Sequence, residues 1–171
     1  MIPTLRPWNL QDLDQLVLFA NNWNIAKNLT DQFPNPYTRT HGMAFIEYAN
    51  LESPVHIFAI DVNGIAIGGI GIHPQKDIYQ KNAELGYWLA EPYWGKGLAT
   101  AAIKLIVQFA FEHFDIERIY ARPFGPNIAS QRILEKNGFK LEAKLDKVFF
   151  KKGEFLDELI YGLRRKDWKN F

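Results

Sequence analysis

Residues 82–114 constrain the fold of this chain more than any other stretch. Asn82 to Leu89 alternates: Ala83, Leu85, Tyr87 and Leu89 point one way, and Glu84, Gly86 and Trp88 the other, which is the period of a β-strand. Glu91-Pro92-Tyr93-Trp94-Gly95-Lys96-Gly97-Leu98-Ala99 follows. The period then lengthens to that of a helix through about Phe114, with Ala99, Ala102, Ile103, Ile106, Val107 and Ala110 as its buried face. A strand that feeds a long amphipathic helix through a glycine loop belongs to an α/β chain.

The flanking segments fit that class. Thr4 to Trp8 reads as an edge strand, and Asn9 caps a helix from Leu10 to Asn22. Trp23 to Tyr37, with Pro34 and Pro36, reads as a short helical piece and a loop. Thr38 caps a further helix to about Asn50, with Ala44, Phe45, Tyr48 and Ala49 on one side. Val55 to Val62 and Ile65 to His73 are strands joined by Asn63-Gly64, the pair a type I′ hairpin turn requires because both residues take positive φ. Arg118 to Phe124 is a strand, and Pro126-Asn127 opens a helix that stops at Asn137-Gly138. Phe139 to Phe150 and Glu154 to Leu163 are strands joined by Lys151-Lys152-Gly153. The order predicts one mixed α/β domain over 1–171, its core about 3–165.

Composition narrows the function. At 171 residues, with 47% hydrophobic and 15% aromatic, the chain can bury roughly 70% of its unfolded surface. Twenty basic and 19 acidic residues leave +1, without the basic excess of a nucleic-acid binder. Absence of cysteine excludes disulfides, thiolate zinc sites and cysteine nucleophiles, and fits a reducing cytosol. The first residues lack a basic stretch followed by an apolar one, and no run has the length of a membrane span. The longest apolar stretch, Ile65 to Ile72, holds three glycines and reads as a buried strand. A cytoplasmic monomer or homodimer, with no nucleic-acid or membrane partner, is the expectation. His41, His56, His73 and His113 lack metal spacing and read mostly as surface residues, so no metal is expected. No Gly-x-Ser-x-Gly turn is present. Arg164-Arg165-Lys166 reads as a solvated end.

Chemistry concentrates in two places. Gly95-Lys96-Gly97-Leu98-Ala99 lets the backbone turn tightly ahead of a helix, whose first turn leaves about four N–H groups without partners. Such a loop holds phosphate or pyrophosphate. It also serves as a plain strand-to-helix turn, and the loop alone leaves both readings open. It is neither a Walker loop nor a Rossmann fingerprint, which would need glycine where Thr100 stands. At Pro126 to Phe139, Asn127 can cap the helix, with Ser130 one turn along; both also suit an amide-bearing ligand arm.

Three segments in this order, Ala83–Leu89, Trp94–Ala99 and Asn127–Phe139, carry a resemblance. Along nearly its whole length the chain resembles the GCN5-related N-acetyltransferases (GNAT), and most the branch with ribosomal-protein-alanine N-acetyltransferases. The resemblance implies a central, mostly antiparallel twisted sheet with a splayed parallel strand pair and flanking helices. It implies acetyl-coenzyme A as co-substrate, its pyrophosphate on the amides from Gly95 through Lys96, Gly97, Leu98 and Ala99 to Thr100. The pantetheine arm is expected in a cleft where Asn82–Leu89 and Arg118–Phe124 splay apart. There the backbone of Tyr87, Trp88 and Leu89 would pair with it like a missing strand. Asn127 would hydrogen-bond the arm and Ser130 would lie near the thioester.

Two positions depart from the family pattern. Trp94 stands where Gln or Arg usually begins the loop, a contact the family makes through backbone. Leu134 stands where many members carry the tyrosine that protonates the leaving thiolate, so that role falls to Ser130 or a water. Acetyl transfer by direct attack in a ternary complex needs a neutral amine and an acceptor for its proton. Glu84, a carboxylate in mid-strand, is the candidate base, and burial beside the cleft would favour its protonated form. The other reading is a solvent-facing side chain of an amphipathic strand. A strand N–H near Trp88 or Leu89 would serve the oxyanion. Trp23, Phe33 and Tyr37, in the region that forms the acceptor wall of such folds, are candidate substrate contacts, with ordinary core as the alternative. The acceptor is an amine of a small molecule or a protein N-terminus. A non-catalytic acyl-coenzyme A-binding module is the competing function.

Overall fold

The computed structural model describes residues 1–168. These fold as two compact units, one of Met1–Ile72 with Gly86–Ile106, the other of His73–Leu85 with the residues from Val107 onward.

The first unit carries β1 (Thr4–Pro7), β2 (Ile57–Val62) and β3 (Ile65–Pro74, as far as Ile72). It also carries α1 (Leu13–Ala20), α2 (Trp23–Ala26) and α3 (Arg39–Ala49). The expected helix from Leu10 starts as one tight 3-10 turn, Leu10–Asp12, before α1 takes over. Asn9 caps that turn in a reciprocal box with Asp12, and Thr38 caps α3 in the same way with His41. Asp12 is buried and receives two bonds from the Arg6 guanidinium at 2.7 Å, while Arg6 Nε donates to Asp61 at 2.8 Å. The β2–β3 hairpin closes through Asn63 and Gly64 at φ 53° and 83°, as the dipeptide requires.

The core of this unit joins Trp8, Leu13, Leu16, Tyr37, Ile46, Ala49 and Ile57, with Phe33, Phe45 and Trp88 packed against it. The face expected for α3 is corrected: Ala44 and Tyr48 are exposed, and Gly42, Ile46 and Ala49 are buried. Gly42 decides this, because a Cβ there would strike Leu13 of α1 at 2.7 Å, so the helices meet at the glycine. In β3, side chains at Gly68 and Gly69 would run into the Trp88 carbonyl and indole. The glycine-rich apolar run is thus a buried strand that makes room for a tryptophan.

The second unit holds β5 (Arg118–Ala121), α5 (Ile128–Lys136), β6 (Lys140–Lys151) and β7 (Glu154–Arg164). Three elements pass from one unit into the other along the chain: β3 at its last two residues, β4 (Asn82–Leu89) and α4 (Leu98–His113). The seven strands hydrogen-bond in the order β1-β2-β3-β4-β5-β7-β6. β4 and β5 are parallel, with Asn82, Ala83 and Glu84 opposite Arg118, Ile119 and Tyr120. The pairs β1–β2, β2–β3, β5–β7 and β6–β7 are antiparallel, as the mixed-sheet expectation has it. All six residues expected on the inner face of α4 are buried; an isoleucine such as Ile103 contributes roughly 1.5–3 kcal/mol by leaving water.

β5 ends three residues before the expected Phe124. Pro123 has no N–H to give a ladder, and Phe124 meets Glu158 only through an isolated bridge. Arg165, read as solvated, instead ties down the end of α4. Its guanidinium donates to the carbonyls of Phe111, Phe114 and Ile116 at 2.8, 3.0 and 2.8 Å and lies over the Phe111 ring. His56 is buried rather than on the surface.

Candidate functional site

In the first unit the chain leaves β4 through Ala90, whose amide donates to Ile67 at 2.8 Å, and a 3-10 turn at Glu91–Tyr93. Glu91 accepts bonds from the Asn22 and Asn24 side chains, which brace that turn. Gly95 and Gly97 sit at φ 72° and 75°, where only glycine is at ease. A Cβ on either would meet nothing within 4 Å, so these glycines set the turn and leave open space above it rather than fitting a tight contact. The first helix bond beyond the loop runs from the Ala101 amide to the Gly97 carbonyl at 3.1 Å. The amides of Leu98, Ala99 and Thr100 therefore have no acceptor within the helix. Leu98 and Ala99 bury their side chains, so only their backbone can face a ligand. Lys96 folds back, its ammonium donating to the Pro92 carbonyl at 2.8 Å and lying 5.3 Å from the Tyr93 ring centre. The first-turn amides of a helix favour an anion, and Lys96 adds a positive charge to the same loop.

Trp94 departs from a purely backbone role. Its indole Nε1 donates to the Leu89 carbonyl at 2.7 Å, and the ring is 43% exposed. Leu89 itself is buried, Tyr87 is half-buried, and Trp88 is held in the core 5.8 Å from Phe33. Phe33 in turn lies 5.3 Å from Tyr37. Tyr37 is 5% exposed and burial pushes its hydroxyl up to about 12, so it is a packed core residue that stays neutral. Phe33 is half-buried, and Trp23, at the start of α2, is 43% exposed. The structure thus brings Phe33, Tyr37 and Trp88 together.

In the second unit Glu84 is ion-paired. Its carboxylate accepts from Arg122 Nε at 2.9 Å and Nη2 at 3.3 Å, and Tyr120, its partner across the parallel ladder, offers its hydroxyl at 3.4 Å. Arg122 Nη1 also reaches Glu158 on β7 at 3.3 Å. The Glu84 side chain is 27% exposed, so its burial is partial. Burial, then the Glu84 charge, push the Tyr120 hydroxyl up, and its hydrogen bond to Glu84 adds to this; the Glu84 bond likewise holds Arg122 above its ordinary value. Sequence reasoning singled out Glu84 but neither Arg122 nor Glu158, which lie far along the chain and carry no local signal.

Asn127 is the N-cap of α5, its Oδ1 accepting from the Ser130 amide at 3.2 Å. The capping reading therefore holds. Ser130 is half-buried on the first turn, and Leu134 is fully buried, so it belongs to the core.

Comparison with known proteins agrees with this arrangement. A family model described as an acetyltransferase (GNAT) domain matches residues 4–140. The uncharacterized N-acetyltransferase YokL of Bacillus subtilis, derived from the SPbeta prophage, is 33% identical over 162 residues, 94% of this chain and 89% of that protein. The solved structure of the microcin self-immunity acetyltransferase MccE, in complex with acetyl-CoA and AMP, shares 26% identity at TM-score 0.81 over 95% of this chain and 92% of that one. RimL, a ribosomal alpha-N-protein acetyltransferase solved with coenzyme A, is similar in fold at TM-score 0.79 and 21% identity, over 96% and 94% of the two chains. Among the described residues no cluster of three or more His, Cys, Asp or Glu could hold a metal, and no helix is long and apolar enough to cross a membrane.

Proposed function

The chain belongs to the GNAT acetyltransferase family and is an acyltransferase acting on an amine with acetyl-coenzyme A, and on that premise we propose roles for its residues. The whole chain, 1–171, is taken as one N-acetyltransferase domain. The pyrophosphate of acetyl-coenzyme A lies on the amides of Gly95 to Thr100. The open, glycine-shaped turn ahead of the first amides of α4 is the observation that carries this reading. Backbone groups of Tyr87 to Leu89 and the Asn127 side chain take the pantetheine arm. While Oδ1 of Asn127 caps α5, its amide nitrogen can donate outward.

The acceptor amine attacks the thioester carbonyl directly while both substrates are bound. As the C–N bond forms, the amine must shed a proton, and Glu84 takes it, directly or through water. An amide N–H near Trp88 or Leu89 steadies the tetrahedral oxyanion. Collapse breaks the C–S bond, and the departing thiolate takes a proton from Ser130 or a water, since Leu134 has none to give. The acceptor is a primary amine of a small molecule or a protein N-terminus, approached past Trp23 and Phe33, with the buried Tyr37 packed against Phe33. A near-neutral chain favours neither a strongly polyanionic nor a strongly polycationic acceptor. A cytoplasmic location, as monomer or homodimer, belongs to the same reading, in keeping with a chain without cysteine.

Thiol release from acetyl-coenzyme A against a panel of peptides and small amines tests the reading. Amine-dependent release is expected. Thermal stabilisation by coenzyme A with no release from any amine would make the chain a binding module. Glu84→Gln should lower turnover about 100-fold or more while leaving acetyl-coenzyme A affinity unchanged. A loss within a few-fold would remove Glu84 from the mechanism and leave the transfer reaction standing.

A further inference from the structure

Glu84 is one end of a chain of charge. Arg122, just beyond β5, spends Nε and Nη2 on Glu84 and Nη1 on Glu158. Glu158 is the most enclosed of the three: its side chain is 10% exposed, against 27% for Glu84 and 43% for Arg122. An acid so deep in β7 needs a paired cation, and Arg122 supplies it. One guanidinium therefore faces two carboxylates.

On β5, Tyr120 offers its hydroxyl to Glu84, and Arg118 lies over the Tyr120 ring, 4.7 Å from its centre. Arg118 is committed elsewhere, to Glu142 on β6 and to the Asn82 side chain on β4 at 3.0 Å. Among the described residues Arg164 on β7 pairs with Glu142, at 3.9 Å. Gly162 leaves the space that Glu142 fills: a Cβ there would run into its carboxylate. The outer charges are thus held apart from the inner group, and Arg122 is the cation that Glu84 and Glu158 share.

We propose that Arg122 and Glu158 are positioning residues for the acyl transfer: Arg122 aims the Glu84 carboxylate with a two-bond fork, and Glu158 anchors Arg122 and competes for its charge. This rests on Glu84 being the base. When Glu84 takes the amine proton, its claim on Arg122 weakens, and the guanidinium turns its charge to Glu158. Both act through Glu84. Glu158 draws off part of the Arg122 charge, so the guanidinium is not spent wholly on Glu84. Release of that proton restores the fork.

The test is the pH dependence of kcat with both substrates saturating, in the wild type and in Glu158→Gln, Arg122→Gln, Arg122→Lys and Glu84→Gln. Loss of the Glu158 charge leaves Arg122 wholly to Glu84, so the acidic limb of the rate moves to lower pH, by about one unit. Loss of the Arg122 charge moves it to higher pH. Arg122→Lys keeps the charge without the fork, so its limb stays near that of wild type while the plateau falls. KM for acetyl-coenzyme A stays within about twofold of wild type throughout, because the cofactor contacts lie elsewhere. A merely structural role cannot move the limb in opposite directions. Shifts of the same sign, or none, with a limb that vanishes in Glu84→Gln, would overturn the proposal and spare the base. A limb that survives Glu84→Gln overturns the base reading and this proposal with it. Where a variant fails to fold, the wild-type enzyme decides: the 15N resonance of Arg122 Nε must move with the midpoint of the rate limb, and an unresponsive signal would overturn the coupling.

Discussion

Arg165→Ala should be among the costliest single changes outside the apolar core. The last carbonyls of an α-helix have no intrahelical donor, and the Arg165 guanidinium serves that of Phe111 in α4 and those of Phe114 and Ile116 just beyond. A hydrogen bond from a charged donor contributes roughly 1.5–3 kcal/mol when well buried. The Arg165 side chain is 34% exposed, so water can reach part of what the substitution frees. About 1 kcal/mol for each of the three bonds is then the sensible scale. Packing over the Phe111 ring, 4.9 Å from its centre, adds about 0.5 kcal/mol. The expected loss is about 3.5 kcal/mol. For a chain of this length that lowers Tm by about 7–14 °C. Urea unfolding followed by circular dichroism gives the free energy directly. Arg164→Ala is the control: its side chain is 54% exposed and its ion pair with Glu142 is long, at 3.9 Å. Its loss should stay under about 0.5 kcal/mol. Equal effects at the two positions, or an Arg165→Ala protein as stable as wild type, would refute the capping argument.

Gly97→Val places a β-branched residue at φ 75°, and coenzyme A affinity by calorimetry should fall at least about tenfold; unchanged affinity would move the pyrophosphate elsewhere. Asn127→Ala should cost roughly 1 kcal/mol of stability through the lost cap. A parallel loss of coenzyme A affinity would mark the ligand contact, and normal affinity would leave Asn127 as a cap alone. For Asp12, burial pushes the carboxyl up, but the Arg6 and Asn9 bonds outweigh it and hold the group below its usual value. Folding therefore gains stability above the unfolded value, about pH 4, and loses it as pH falls through the lower folded value. Asp12→Asn should flatten that acid slope in urea titrations at a series of pH values, and an unaltered slope would remove Asp12 as its source.

Short-range features were the ones legible in the residues. Asn63-Gly64 names its turn because no other pair accepts positive φ at both places so readily. Asn9, Thr38 and Asn127 act as caps because the acceptor and the amide it serves lie within three residues. The face of α4 follows from its period. The face of α3 does not, because its apolar residues are spread around the helix and one glycine lets it press against α1. Arg165 looked like a solvated end because the carbonyls it serves lie about 50 positions earlier. The partners of Glu84 were hidden for the same reason: Arg122 is 38 residues away, and Glu158 a further 36. Loop chemistry is written in glycines, whereas charge networks are written in the register of strands, and register appears only when the sheet is built.

The indole of Trp94 gives the molecule an optical reporter. Its N–H is bonded to the Leu89 carbonyl while the ring stands partly in water, two conditions to which tryptophan emission responds. A ligand arm that claims the same carbonyl must share it with the indole or displace it. Either event changes the colour and intensity of one fluorophore among five. The difference in emission between this chain and its Trp94→Phe variant isolates that signal. Occupancy of the loop can then be followed on the millisecond scale of a stopped-flow instrument, with no label and no turnover.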